Sequence, residues 1–233
     1  SGIVLNVSME IDEATSDKNY AGLVSELSDQ AIVYASQVKG TIEIGSYIEE
    51  AGQDEDGNQT EVNVSSNPAN VSGLVGTMSG GKILDCSTAV DITYRAEEKG
   101  NIYGIVSLSD KENDENTLNK IIENTYSTGS LTTYINTNIY AFTNGASHTK
   151  IQNSYTISKI DWNDYTKESN IPENGTVFSV FGINKDTTYE LKNVYYDRNA
   201  LNINISDTDI GEEITYTTEG ATIYTDKELG IKK

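Results

Sequence analysis

One cysteine, one histidine, one tryptophan and two prolines are all that 233 residues contain of those four types. A lone Cys86 rules out an internal disulfide and any cluster of thiolates around a metal. With His148 as the only imidazole, no His-Glu-x-x-His pair can hold a catalytic zinc. Scarce proline leaves strand hydrogen bonding almost uninterrupted. Basic residues are few as well: 16 Lys and Arg stand against 36 Asp and Glu, for a formal charge of −20. Such a surface repels phosphate backbones and anionic lipid headgroups, so neither nucleic acid nor membrane insertion is expected. No apolar run approaches the length of a membrane span, and no signal peptide is evident. Ser1-Gly2 reads as a cloning remnant and the chain as an excised piece of a longer protein.

The sequence is rich in Thr, Ser, Asn and Gly, with 15 Tyr and many Ile and Val, a composition that favours ordered strands over disorder. Apolar residues recur with period two. Leu5, Val7, Met9 and Ile11 alternate with polar residues, as do Ile42 and Ile44, and Val90, Ile92 and Tyr94. The one short stretch with helical character is Thr117 to Ile122.

Internal repetition organises the chain. Ile32-Val-Tyr-Ala-Ser36, Ile83-Leu-Asp-Cys-Ser87, Ile122-Glu-Asn-Thr-Tyr126, Ile151-Gln-Asn-Ser-Tyr155 and Leu191-Lys-Asn-Val-Tyr195 share one pattern. Upstream of them lie Ala21-Gly22-Leu23-Val24, Ser72-Gly73-Leu74-Val75, Tyr103-Gly104-Ile105-Val106, Tyr140-Ala141-Phe142 and Phe178-Ser-Val-Phe181. Strand-only repeats of roughly 30 to 38 residues, each too small to bury its own face, predict stacking. The fold expected is all-β, a parallel right-handed β-solenoid (β-helix) of about five coils over residues 1–197. Loop or hairpin insertions are placed near 49–61 and 109–116, and 198–233 is expected to form a cap or exit segment. Stacking would put Asp85, Asn124, Asn153 and Asn193 in a ladder at one corner, where Asn tolerates unusual backbone angles. It would put Tyr126, Tyr155 and Tyr195 in an aromatic column, and Cys86 in a column with Ala35, Thr125, Ser154 and Val194.

Gly76-Thr-Met-Ser-Gly-Gly81-Lys82 spells a phosphate-loop pattern. A phosphate loop requires a following helix and a hydroxyl after the lysine, whereas Ile83 and a strand-like run come next. The glycines are read instead as turn residues that supply positive φ.

Ser72-Gly-Leu-Val-Gly-Thr-Met-Ser-Gly-Gly-Lys-Ile-Leu-Asp-Cys-Ser87 resembles the GLUG motif of bacterial surface proteins. Ala21-Gly-Leu-Val-Ser25 and Ile151-Gln-Asn-Ser-Tyr155 are similar to its two halves, and Leu191-Lys-Asn-Val-Tyr-Tyr-Asp197 is similar to the ending of such arrays. Gly22, Gly73, Gly76 and Gly104 are then repeat positions. The resemblance implies an extracellular or wall-attached location, in adhesins or beside the catalytic part of IgA-protease-type metallopeptidases.

Catalytic chemistry finds little to work with. Asp85, Asp91 and Arg95 are the on-strand charged candidates, and a solvated strand face is the reading preferred for them, since charge on an exposed strand is normally there for solvation. Asp54, Asp56 and Asn58 place oxygen ligands at alternate positions and are weak calcium candidates, although Gln59 and Ser65 occupy the positions where a calcium loop wants Gly and Glu. No cofactor is expected. The function expected is a non-catalytic stalk or ligand-presenting module of a larger bacterial surface protein, facing a host glycan or protein ligand. Tyr126, Tyr155 and Tyr195 are its candidate sugar-stacking residues. An accessory region of a secreted metallopeptidase, or a carbohydrate-active β-helix enzyme, is the alternative.

Overall fold

The computed structural model describes residues 2–16, 19–45, 69–95, 99–109, 118–133, 137–162, 178–181 and 188–197. Asp54, Asp56, Asn58, the insertion near 49–61, most of that near 109–116 and the 198–233 segment lie outside the described residues. Among the described residues every regular element is a strand. The strands form a 12-stranded and an 8-stranded sheet, and all their pairings are parallel. Thr117 to Ile122 supplies no helix among its described residues; Lys120–Glu123 is a strand held between Gly81–Leu84 and Thr149–Thr156.

Each strand pairs with the one that carries the equivalent residues a repeat later. In one part of the larger sheet the partners run Val4, Val33, Ile83, Ile122, Ile151, Leu191. In the other part they begin Met9, Val38, Thr88, Ser127 and Thr156. The smaller sheet pairs Ala21, Ser72, Tyr103 and Tyr140. Side chains on one face of all these strands meet in a common interior, with Val33, Ile42, Leu74, Ile83, Ile92, Ile105, Ile122 and Ile151 fully buried. This arrangement follows from the period-two pattern, since alternate residues on parallel strands can only reach one shared core.

Two details differ from the repeat as aligned by sequence. Val33, not Ile32, is the partner of Ile83, so Ser36 stands at the level of Cys86 and Ala35 at that of Asp85. Val33 is fully buried while Ile32 is not, and inward packing outranked the identity of the two isoleucines. Leu5 does not continue the inward row of Val7, Met9 and Ile11; it is 53% exposed. Asn6 adopts a left-handed φ of 51°, which interrupts the strand and resets the alternation.

The glycines serve closeness more than torsion. A Cβ on Gly22 would lie 2.1 Å from the carbonyl oxygen of Gly73, and one on Gly73 2.3 Å from that of Gly104. Neither has a positive φ. Backbones at these levels approach too closely for any side chain. Gly76 likewise sits inside the strand Val75–Met78, facing the carbonyl of Ser25. Only Gly81, at φ 95° as the next strand begins, fits the turn reading of the Gly-x-x-x-x-Gly-Lys stretch.

Candidate functional site

Three sets of polar side chains run across the levels. At the corner between the two halves of the larger sheet stand Asn6, Ala35, Asp85, Asn124, Asn153 and Asn193, all left-handed at φ 50° to 54°. Their side chains bond from level to level: Asn124 Nδ2 donates to Asp85 Oδ1 at 2.8 Å, and Asn193 Nδ2 to Asn153 Oδ1 at 3.0 Å. Asn and Asp tolerate this conformation because their short polar arms bond locally; Ala35 has no such arm.

The next residue inward closes the corner. Ser36, Thr125 and Ser154 donate their hydroxyls to the carbonyls two residues earlier, at 2.9, 2.9 and 2.8 Å. Each hydroxyl also accepts the N–H of the neighbouring level, as in Val7 to Ser36, Cys86 to Thr125 and Thr125 to Ser154. Cys86 stands in this column, its Sγ 3.1 Å from the Leu84 carbonyl. Burial pushes its thiol pKa up, which suppresses the reactive thiolate.

A third set was not singled out from the sequence. Asn101 Nδ2 donates to Asn70 Oδ1 at 2.7 Å, Asn138 Nδ2 to Asn101 Oδ1 at 2.8 Å, and Asn19 Oδ1 accepts the Asn70 N–H at 2.8 Å. The signal was present: each Asn lies three residues before Gly22, Gly73, Gly104 or Ala141.

Outside the corner, two residues beyond the left-handed position, the column reads Ser8, Gln37, Ser87, Tyr126, Tyr155, Tyr195. The Tyr126 and Tyr155 rings stack at 5.0 Å with planes 3° apart, and are 38% and 37% exposed. On its other side Tyr126 is in register with Ser87, where the column becomes small. Burial and the neighbouring Tyr126 phenol raise the pKa of Tyr155.

At the levels of Asn6, Ala35 and Asp85 a groove of about 330 Å³ opens along the corner, lined by Asn6, Ser8, Ala35, Gln37, Asp85 and Ser87 together with Val7 and Ser36. It exists because Ala35 leaves a gap in the amide ladder between Asn6 and Asp85. Gln37 Nε2 donates to Ser8 Oγ at 2.9 Å. The Asn6 N–H donates to the Tyr34 carbonyl at 3.1 Å, while among the described residues the Asn6 side-chain amide and the Ser87 hydroxyl make no hydrogen bond. On its other side the corner is bordered by Leu5 and Tyr34, the latter 41% exposed, each immediately before the left-handed residue.

Side chains of the acidic candidates bond neighbouring levels, while Arg95 and His148 are held through their backbones. Asp91 Oδ1 accepts both the N–H and the hydroxyl of Ser130, at 2.8 and 2.6 Å, while Asp85 holds Asn124. The Arg95 N–H donates to the Ile44 carbonyl at 2.7 Å. His148 is a left-handed corner residue whose N–H donates to Thr188 Oγ1 and whose carbonyl accepts from Asn119 and Lys120. No group of three or more His, Cys, Asp or Glu side chains converges among the described residues. The described residues thus present ladders, the stacked pairs Tyr103–Tyr140 and Tyr126–Tyr155, and a polar groove, and no protein-family model, curated protein or solved structure matches the chain.

Proposed function

We propose that the chain is a right-handed parallel β-solenoid of about five coils, and that it works as a non-catalytic stalk or ligand-presenting module of a bacterial secreted or wall-attached protein. The observation that supports this reading is the continuity of the side-chain ladders. Asn70, Asn101 and Asn138 are joined amide to amide, and Ser36, Cys86, Thr125 and Ser154 follow one another in register through the interior. Ladders of this kind make each repeat depend on its neighbours, so stiffness accumulates along the stack. The acidic surface keeps such a stack soluble and separated from its copies. The GLUG resemblance at Ser72 to Ser87 supports a surface location and a larger parent protein. Small-angle scattering in solution tests the architecture: five levels about 4.8 Å apart make a compact body about 25 Å tall, so a compact folded profile is expected and the profile of an expanded chain would refute it. Glycan and host-protein arrays probed with the chain test the presenting role, which requires a retained ligand that competes in solution.

A further inference from the structure

We propose that Asn144-Gly145 is a self-modification site governed by the fold: the Asn144 side chain closes onto the Gly145 nitrogen and hydrolyses to aspartate only when this level opens, and the product weakens the docking it came from. The inference requires only the pairing of the levels and no ligand. Three observations carry it.

The first is the role of the Asn144 amide. The strand Asn138–Thr143 pairs with Val106–Leu108 at Thr143, opposite Val106. Beyond that point the Asn144 side chain continues the ladder in place of backbone. Its Oδ1 accepts the Leu108 N–H at 2.6 Å, and its Nδ2 donates to the Leu108 carbonyl at 2.8 Å. One side chain thereby satisfies both main-chain groups of a buried residue.

The second is the neighbour. An asparagine amide is attacked by the following backbone nitrogen, and glycine presents no side chain to obstruct that approach. The ladder residues Asn70, Asn101, Asn124, Asn138 and Asn193 are instead followed by Val, Ile, Thr, Ile and Val, whose branched side chains hinder it. Asn144 and Gly145 are both half-buried, so water reaches the pair.

The third is the chemistry. The Gly145 nitrogen bonds to the Asn144 side-chain carbonyl carbon and gives up its proton, Nδ2 departs with that proton as ammonia, and a succinimide ring remains. Water then opens the ring to aspartate, or to isoaspartate with the backbone running through the side chain. Nδ2 is the atom bonded to the Leu108 carbonyl, so the ring cannot be completed while that bond holds. The carboxylate that results has no proton to donate and opposes the carbonyl oxygen of Leu108. The conversion is one-way, so it records each lasting separation of these two levels.

The test is peptide mapping by mass spectrometry of the full chain, held in mildly alkaline buffer with and without unfolding urea. Mapping separates Asn144 from Asn174-Gly175, the other such pair in the sequence. Opening the site breaks two hydrogen bonds, so conversion of Asn144 should be about 5- to 150-fold slower in the folded chain. Gly145 has no left-handed φ, so Gly145→Ala is compatible with its backbone and should suppress conversion in urea. Asn144→Asp installs the product outright and should lower the melting temperature by roughly 2–12 °C. Equal conversion of Asn144 in the folded and urea-unfolded chain overturns the proposal, as does an Asn144→Asp protein that melts with the unaltered chain. The rate comparison uses the unaltered chain, so it decides the proposal even where Asn144→Asp does not fold.

Discussion

Gly104→Ala tests the level-to-level contact directly. The new Cβ would lie 2.0 Å from the Ala141 carbonyl oxygen and 3.1 Å from Ser127 Oγ, so the Ala141 peptide must withdraw by about 1 Å. That peptide is not free to move. Its carbonyl accepts the hydroxyls of Ser127 and Thr156 at 2.9 and 3.2 Å. The flanking Gly104 and Ile105 N–H groups each donate at 2.9 Å to Tyr140 and Phe142. Two to three buried hydrogen bonds would stretch together, at a net cost of about 0.5–1.5 kcal/mol each. The expected loss is therefore about 1–4.5 kcal/mol, which for a domain of this size lowers the melting temperature by roughly 2–18 °C. Far-UV circular dichroism melts with urea denaturation measure it. Gly2→Ala is the control, because nothing lies within 4 Å of its added carbon. If Gly104→Ala and Gly2→Ala both melt with the unaltered chain, the close approach of the levels is wrong.

Ala35→Asn should stabilise the chain by about 1 kcal/mol, because Asn tolerates the left-handed φ of 51° better than Ala and restores the amide ladder; a raised urea midpoint checks it. Cys86→Ser is expected to cost less than about 1 kcal/mol, since a hydroxyl can donate to the Leu84 carbonyl as Thr125 and Ser154 do to theirs, whereas Cys86→Leu should cost more than 1–3 kcal/mol by overpacking. In the unaltered chain the buried thiol should react with a disulfide reagent only after denaturant is added. Burial raises the pKa values of Tyr103 and Tyr140, so above about pH 10 the unfolded chain releases phenolic protons that the folded one keeps. Their contribution to stability is complete below that pH and declines above it; a melting temperature that rose between pH 9 and 11 would contradict the assignment.

How much was legible in the sequence can be judged residue by residue. The strand class was, because a two-residue apolar period admits no helix of useful length, and even Lys120–Glu123 follows it. The Asn124, Asn153 and Asn193 corner was visible too, because the left-handed conformation selects a distinctive residue type. Ala35 escaped for the same reason: it occupies the conformation without the type, and the neighbouring Ile32 offered a false match to Ile83. The purpose of Gly73 and Gly104 was hidden because composition cannot separate a glycine needed for torsion from one needed for proximity. The groove was less legible still. It arises from a missing side chain at Ala35 and a small one at Ser87, and absences at two separated positions form a site only once the levels are aligned.

The outward column of Ser8, Gln37, Ser87, Tyr126, Tyr155 and Tyr195 changes from small or polar residues to tyrosine between Ser87 and Tyr126. A tyrosine placed above another gains about 0.5–1.5 kcal/mol from the stacked pair, beyond the burial itself. A column that is tyrosine throughout covers every ring face but the last, so the position where stacking stops decides where an aromatic face is offered. At Ser87 the chain forgoes that gain and leaves Tyr126 exposed. Ser87→Tyr should therefore raise the melting temperature by roughly 1–6 °C. A raised melting temperature would show that the small residue at this level forgoes a stacking gain open to the scaffold. A less stable Ser87→Tyr protein would mean that the rings cannot continue across this level, and the Tyr126 face would then not be open toward Ser87 at all.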